Sequence, residues 1–170
     1  MKGLFGHLCN WDCTVTKALT MSATSRWRWV PALGAHLGDG PLWFVVGGIL
    51  LIWSGDVIRG VTLVTVVAVL ISTGFSTAIK YTIRRRRPQE LTEFYALKYD
   101  RYSFPSGHAT RMAAIAVTVG HFYPALALVG YVLAVLVSIC RIAVGVHYAS
   151  DVIVGLLVGI VGGSCIVLAL

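Results

Sequence analysis

Three short segments between residues 80 and 151 of this 170-residue sequence carry the residue types best suited to chemistry. The first segment runs from Lys80 to Pro88 and contains four consecutive arginines, Arg84 to Arg87. A guanidinium group stays protonated and can donate two hydrogen bonds to one phosphate, so this segment is a candidate phosphate clamp. The alternative is a stop-transfer run that fixes the topology or contacts anionic lipid.

The second segment, Pro105-Ser106-Gly107-His108, stands directly before an apolar stretch. Proline suits the first positions of a helix, serine can cap it, and glycine lets a ligand approach the backbone. Free N–H groups and the helix dipole would then point at an anion, with His108 on the first turn. The alternative is a plain helix start with an interfacial histidine.

The third segment contains Arg141, His147 and Asp151. His147 and Asp151 are four residues apart and share a helix face if the last helix begins before His147. A carboxylate on one imidazole nitrogen fixes the tautomer and leaves the other nitrogen free to attack. Charges near hydrocarbon are costly, which favours a functional role. A structural Asp–His pair is the alternative.

The composition indicates which elements position these segments. Hydrophobic residues make up 57% of the chain and charged residues 12%, whereas soluble domains have roughly 45–50% and about 25%. We therefore expect an all-α integral membrane helical bundle of about five transmembrane helices, plus an N-terminal interfacial amphipathic helix. The net charge of +7 then indicates anionic lipid headgroups as contacts rather than nucleic acid.

The boundaries of these helices follow from the apolar stretches. Charge-free stretches of about 20 residues predict spans, and Pro124 divides a longer stretch into a hairpin. Glycine recurs every four residues in the last span and would let helices approach closely. The predicted spans are residues 40–55, 61–79, 106–122, 124–143 and 152–170, and the interfacial helix is residues 9–29.

The whole chain, residues 1–170, is predicted to form one domain with an interfacial N-terminal segment over residues 1–32. The first residues lack the apolar stretch of a signal peptide, so we expect them to stay in the mature protein. The four cysteines show no metal-like spacing, and we expect no disulfide.

This topology places all three segments at one membrane face. The second span ends at Lys80 and the third begins near Ser106, while the fourth ends near Arg141 and the fifth begins near Asp151. Together the segments supply positive charge, a nucleophile and an acid, which phosphoryl transfer requires. The sequence therefore predicts one site for phosphate chemistry, within residues 80–151.

The three segments resemble the type 2 phosphatidic acid phosphatase family, in its membrane branch, which includes bacterial phosphatidylglycerophosphate and undecaprenyl diphosphate phosphatases. The family pattern K-x6-R-P, P-S-G-H and R-x5-H-x3-D stands here, in order and spacing, as Lys80 with Arg87-Pro88, Pro105-Ser106-Gly107-His108, and Arg141 with His147 and Asp151. One position departs from the pattern. The family's serine before the arginine is Cys140, whose thiol is a poorer hydrogen-bond donor, so it is left out of the predicted site.

The resemblance implies a lipid phosphatase that needs no metal and no cofactor. It implies that His147 attacks phosphorus to form a phosphohistidine, that Asp151 orients His147, and that His108 protonates the leaving oxygen and later activates water. The phosphoryl oxygens would be held by Lys80, Arg87, Ser106, Gly107 and Arg141. The implied substrate is a lipid phosphomonoester or diphosphate, such as a polyprenyl diphosphate or phosphatidylglycerophosphate, in a bacterial inner membrane.

Several alternatives stay open at this level. A phosphotransferase would use the same intermediate to pass phosphate to a lipid acceptor, and a transporter would use the intramembrane charges as an ion path. The positive-inside rule favours a cytoplasmic active face, because only Arg59 of the fourteen Lys and Arg residues lies opposite, yet many relatives face outward. The aromatic loop over residues 88–104 is either a lid over the lipid chain or an aromatic belt. The oligomeric state is not indicated.

Overall fold

A computed structural model describes residues 4–88 and 101–170 of the chain, with side chains described from residue 9 onward. These parts form helices α1 (Leu4–Leu19), α2 (Trp29–His36), α3 (Gly40–Trp53), α4 (Asp56–Ile83), α5 (Gly107–Phe122), α6 (Pro124–Ala143) and α7 (Ala149–Leu168). The predicted hairpin of two helices is confirmed almost to the residue in α5 and α6. The predicted span 61–79 extends further at both ends in α4.

Within the described ranges, α4, α6 and α7 are long and apolar enough to cross a membrane. Helices α2 and α3 together pass the same test as a single span bent by 44°. Helix α5 has 16 residues, fewer than a usual span, but it packs between α4, α6 and α7. The predicted all-helical membrane bundle is confirmed. In place of the five expected spans, the described residues give three such helices, or four with the bent pair, and α5 is the predicted span that is too short.

Small residues allow α5 to occupy the centre of the bundle. A Cβ built on Gly155 of α7 would lie 2.5 Å from the carbonyl oxygen of Ser106, and one on Gly159 would overlap the carbonyl oxygen of Thr110. The glycine repeat therefore sets the close approach of α7 to α5, as the sequence predicts. On α5 itself the buried alanines are Ala109, Ala113, Ala114 and Ala116.

The N-terminal segment differs from the prediction. Instead of one interfacial helix, α1 ends at Leu19, and turns lead from there to α2. These turns satisfy the last carbonyl groups of α6: the N–H of Met21 donates to Ala143 O at 2.9 Å, and the Arg28 guanidinium donates to Val144 O at 2.9 Å. The last carbonyl groups of a helix have no partner within it. The turns that contain Met21 and Arg28 supply partners for α6, and these turns interrupt the predicted interfacial helix.

Two residues in the left-handed conformation turn the loops beside the predicted site. Arg84 has φ 53° and ends α4, where its N–H donates to Lys80 O at 3.0 Å. Between α6 and α7, Gly145 has φ 83°, a conformation that glycine adopts without steric cost. These turns direct the chain after α4 and the chain before α7 toward each other.

Candidate active site

Helix ends from all three motif segments meet at one end of the bundle. The N–H of Ser106 donates to Asp151 O at 2.9 Å, which joins the start of α5 to the first turn of α7. Arg87 Nη1 donates to Val146 O at 2.7 Å, which joins the chain after α4 to the loop before α7. The structure therefore brings together the segments that the topology predicts to share a face.

The imidazole of His147 is fully buried at this junction. Its Nε2 lies 3.4 Å from Arg87 Nη1, and its Nδ1 lies 3.5 Å from Asp151 Oδ2. A guanidinium can only donate hydrogen bonds, so Nε2 acts as the acceptor in this contact. The neutral ring then carries its proton on Nδ1, facing the carboxylate, and directs the lone pair of Nε2 toward the arginine.

The pairing of His147 with Asp151 arises in a different way from the predicted one. Helix α7 begins at Ala149, so His147 precedes the helix and does not share a helical face with Asp151. The extended N-cap residue Tyr148 turns the chain, and its N–H donates to Asp151 Oδ2 at 2.8 Å. The carboxylate thus closes the turn that carries His147 and also faces the imidazole.

Arg85 belongs to the four-arginine run, but in the structure it joins two buried carboxylates. Its Nη1 donates to Asp151 Oδ1 and Ser150 Oγ, each at 2.7 Å, and its Nη2 donates to Asp12 Oδ2 at 2.6 Å. The guanidinium also stands 3.9 Å from the ring centroid of Tyr148. Hydrogen-bonded pairing of this kind offsets the cost of burying two carboxylates.

Helix α1 supplies acceptors for the first N–H groups of α7. Thr16 Oγ1 accepts from the N–H of Ala149 at 3.1 Å, and Asp12 Oδ1 accepts from the N–H of Ser150 at 2.9 Å. Such N–H groups have no partner within their own helix, and an anion near them is favoured by the dipole. Burial alone would raise the pKa of Asp12, but hydrogen bonds from Ser150 and Arg85 hold it below its ordinary 3.8.

The sequence pattern places α1 at the interface and does not identify Asp12 or Thr16 as parts of the site. The available signal is their spacing of four residues, which puts both on one face of the helix. Other side chains of α1 do point outward, as an interfacial helix requires: Trp11 is 48% exposed. Helix α1 therefore combines an exposed face with a face that caps the helix carrying Asp151.

The other predicted phosphate ligands surround the same junction. Lys80 and Arg141 are buried in the last turns of α4 and α6. Ser106 is the N-cap of α5, and its buried hydroxyl has no hydrogen-bond partner in the part of the chain that the structure describes. A Cβ built on Gly107 would meet nothing within 4 Å among those residues. A buried hydroxyl and open space at a helix start suit a bound anion.

Cys140, at the position of the family's serine, packs against α2. A Cβ built on Gly34 of α2 would lie 2.5 Å from the Cys140 sulfur. The side chain therefore has a packing role between α2 and α6, which agrees with leaving it out of the predicted site.

His108, on the first turn of α5, is hydrogen-bonded to a residue that the motifs do not include. Its Nε2 lies 2.7 Å from Asp39 Oδ1, and Asp39 Oδ2 lies 2.7 Å from His36 Nδ1. In sequence, Asp39 is only the polar flank of a short apolar stretch. Across residues 9–88 and 101–170, no group of three or more His, Cys, Asp or Glu side chains is arranged to hold a metal ion.

An apolar cavity of about 200 Å³ lies between α3, α4 and α5. On α5 its lining extends from Arg111 to Val119, about 12 Å along the helix axis, and it continues to Tyr123 just after the helix. The Arg111 guanidinium donates to Gly38 O, and Arg111 is three residues after His108. The cavity therefore begins beside the predicted site. Apolar lining residues on the other two helices include Phe44, Leu50, Val61 and Val66.

Most of the predicted aromatic lid, residues 89–100, lies outside the described residues. Of the aromatic residues that remain, Tyr102 packs edge-on against Tyr81 near the end of α4, with ring centroids 5.8 Å apart. The lid therefore stays a prediction.

Comparison with known proteins relates this site to a family. Residues 61–169 match the PAP2 superfamily. An undecaprenyl-diphosphatase of Sulfolobus acidocaldarius is 37% identical over 122 residues, which cover 69% of this chain and 58% of that protein. A lipid A 1-phosphatase of Rhizobium etli is 31% identical over 88 residues, which cover 48% of this chain and 38% of that protein. The chain thus spans less than two thirds of the length of these relatives.

Two solved structures share the fold. The first transmembrane PAP2 type phosphatidylglycerolphosphate phosphatase from Bacillus subtilis has a TM-score of 0.74 at 23% identity, over 94% of this chain and 84% of that chain. Aquifex aeolicus LpxE has a TM-score of 0.75 at 24% identity, over 91% of this chain and 93% of that chain. With the apolar helices, these neighbours identify an integral membrane protein. The family match includes all three motif segments and confirms the resemblance: the chain belongs to the PAP2 superfamily.

Proposed function

We propose that this protein is a membrane lipid phosphatase that hydrolyses a lipid phosphomonoester or diphosphate through a phosphohistidine on His147. The observation that carries the proposal is the environment of that side chain, with Nε2 facing Arg87 and Nδ1 facing Asp151. A histidine nucleophile needs its proton on the nitrogen away from the substrate. It also needs positive charge beside the phosphoryl group that it attacks.

The proposed reaction consists of two displacements at phosphorus. In the first, Nε2 of His147 bonds to phosphorus while the P–O bond to the lipid breaks, and His108 gives a proton to the lipid oxygen. In the second, His108 takes a proton from water, and the water oxygen attacks phosphorus and breaks the N–P bond to release phosphate. Asp151 stabilises the charge that the imidazole gains in between, as the carboxylate of a catalytic triad does.

Positive charge and N–H donors would hold the phosphoryl oxygens. The candidates are the side chains of Lys80, Arg87 and Arg141 and the helix start at Ser106 and Gly107. Loss of a single donor of this kind costs about 10²- to 10³-fold in kcat in well-studied enzymes. Since these groups supply the charge that phosphoryl transfer needs, the proposal includes no metal and no cofactor.

A lipid substrate is supported by the cavity between α3, α4 and α5. It runs about 12 Å along α5 among apolar side chains, beginning near Arg111. Such a cavity suits one hydrocarbon chain whose headgroup lies at the helix ends. The names of the two relatives also refer to lipid phosphates. We favour a polyprenyl diphosphate or phosphatidylglycerophosphate as substrate, and a bacterial cytoplasmic membrane as the location.

The test is release of inorganic phosphate by the detergent-purified protein in the presence of a chelator. The substrates are a polyprenyl diphosphate, phosphatidylglycerophosphate and phosphatidic acid. Wild type should release phosphate from at least one of them, and His147→Ala should release none. The matched control is His121→Ala, since His121 is exposed near the other end of α5. It should behave like wild type.

A labelled phosphate donor tests the intermediate directly. Wild type quenched during turnover should carry an acid-labile, alkali-stable phosphate label, and His147→Ala should carry none. Substantial turnover by His147→Ala would refute the histidine nucleophile. Consumption of the donor without free phosphate would instead indicate a phosphotransferase, and no consumption of any donor would favour a transporter.

A further inference from the structure

The bend between α2 and α3 places a carboxylate on the candidate acid of the site. Asp39 is the N-cap residue of α3, and its Oδ1 lies 2.7 Å from His108 Nε2. The histidine side chain is 16% exposed and the aspartate side chain 36% exposed. The contact joins residues 69 positions apart in the chain.

The surrounding packing holds this contact in place. A Cβ built on Gly38 would lie 2.9 Å from His108 Cδ2 and 2.7 Å from Val137 Cγ1, so the backbone of the bend lies directly against the imidazole. Arg111 donates to the carbonyl of Gly38 and ties the same bend to α5. Asp39 itself precedes residue 61, where the family match begins. The bend thus lies outside the three motif segments and outside the residues that match the family.

We propose that Asp39 is a positioning residue that fixes the tautomer of His108 and stabilises its doubly protonated form. The inference rests on the proposed function, in which His108 is the acid and then the base. With Nε2–H donated to Asp39, Nδ1 is the nitrogen that gives a proton to the leaving oxygen and later takes one from water. A carboxylate on the far nitrogen of a catalytic imidazole acts in this way in the serine protease triad.

The surroundings of His108 call for such a partner. Burial, first of all, and the positive charges of Arg141 on α6 and Arg111 on the same helix oppose a positive charge on its imidazole. Asp39 is the carboxylate in hydrogen-bond contact with it, and its other oxygen lies 2.7 Å from Nδ1 of the half-exposed His36. His36 therefore orients the carboxylate, and Asp39→Asn should leave His108 less able to hold its second proton.

The test compares two phosphate monoesters with the same decyl chain. Decyl phosphate releases an alkoxide that needs a proton, whereas a nitroaryl phosphate bearing that chain releases a phenolate that needs none. Asp39→Asn should lower kcat/KM for decyl phosphate by about 10- to 100-fold, part of the contribution of general acid catalysis, and that for the aryl ester by less than about threefold. The alkaline limb of the decyl phosphate profile should also move to lower pH.

The ratio of the two kcat/KM values does not depend on the fraction of protein that is folded. His36→Gln, which can still donate to the carboxylate, should retain a near-wild-type ratio. The matched control, Asp56→Asn, changes an aspartate whose side chain is fully exposed at the start of α4 and should leave the ratio unchanged.

An equal loss of kcat/KM for both esters in Asp39→Asn would overturn the inference and leave the proposed function standing. Wild-type protein that releases no phosphate from either ester or from the three lipid substrates would overturn both.

Discussion

Asp12→Ala tests whether α1 is part of the machinery that positions the nucleophile. The Asp12 carboxylate is 4% exposed and accepts three hydrogen bonds, from Ser150 N at 2.9 Å, Ser150 Oγ at 2.6 Å and Arg85 Nη2 at 2.6 Å. Its removal leaves the second N–H of α7 without an acceptor. It also leaves Arg85 with Asp151 as its remaining carboxylate.

Breaking a buried ion pair costs about 3–5 kcal/mol, much of it from the partner left behind. The side chain of Arg85 is 29% exposed and retains Asp151 as a partner. We therefore expect the lower end of that range, about 3 kcal/mol in the free energy of unfolding. The start of α7 carries Asp151 and adjoins His147, so a shift of about 1 Å there should lower kcat by up to about 100-fold.

The assay combines thermal unfolding in detergent with phosphate release, and Asp56→Ala is the matched control. Asp56 is a fully exposed aspartate, so its removal should change neither quantity. Wild-type stability and kcat in Asp12→Ala would refute the positioning role of α1.

Because the pKa of Asp12 lies below 3.8 in the folded state, its contribution to the free energy of unfolding is complete above pH 3.8 and is lost as the pH falls through the folded value. Asp12→Asn should therefore flatten the loss of stability in acid.

Three further predictions concern the backbone and the orientation in the membrane. Gly145→Ala, at φ 83°, should cost about 1–2 kcal/mol of stability and lower kcat, as measured by unfolding and phosphate release. Gly159→Ala should destabilise by about 1–3 kcal/mol through its overlap with α5, whereas Gly74→Ala, which meets nothing described within 4 Å, should not. In a cysteine-free background in intact cells, an impermeant thiol reagent should label Asp56→Cys but not Arg101→Cys. The reverse pattern would exclude a cytoplasmic active face.

Apolar length and the helix breaker at Pro124 predict α5 and α6 to within one residue, because both signals are local. The glycine repeat of α7 likewise predicts a close approach to a neighbouring helix, since small residues at a spacing of four share one helix face. That the neighbour is α5 is decided by the fold. The N-terminal prediction fails because the turns after α1 are set by the carbonyl groups of α6. Those carbonyl groups lie more than 100 residues away in the chain, so the sequence of residues 20–28 contains no periodic pattern that predicts the turns.

The residues of the site also divide into those that the sequence predicts and those that only the structure identifies. Motif spacing alone predicts His108, His147 and Asp151, because the chemistry of phosphoryl transfer restricts which residue types can occupy those positions. Asp12 and Asp39 carry no such spacing. Each is a single aspartate in a segment whose composition indicates only an interface or the end of a span, and each gains its role from a contact with a distant helix.

The sequence by itself determines the membrane environment, the family and the candidate reacting groups of this protein, because hydropathy and motif spacing are properties of neighbouring residues. Only the tertiary structure decides which carboxylate holds which imidazole and which helix caps the start of α7. Those contacts depend on how the helix ends meet, and a buried charge is stable only with the partner that the fold brings to it.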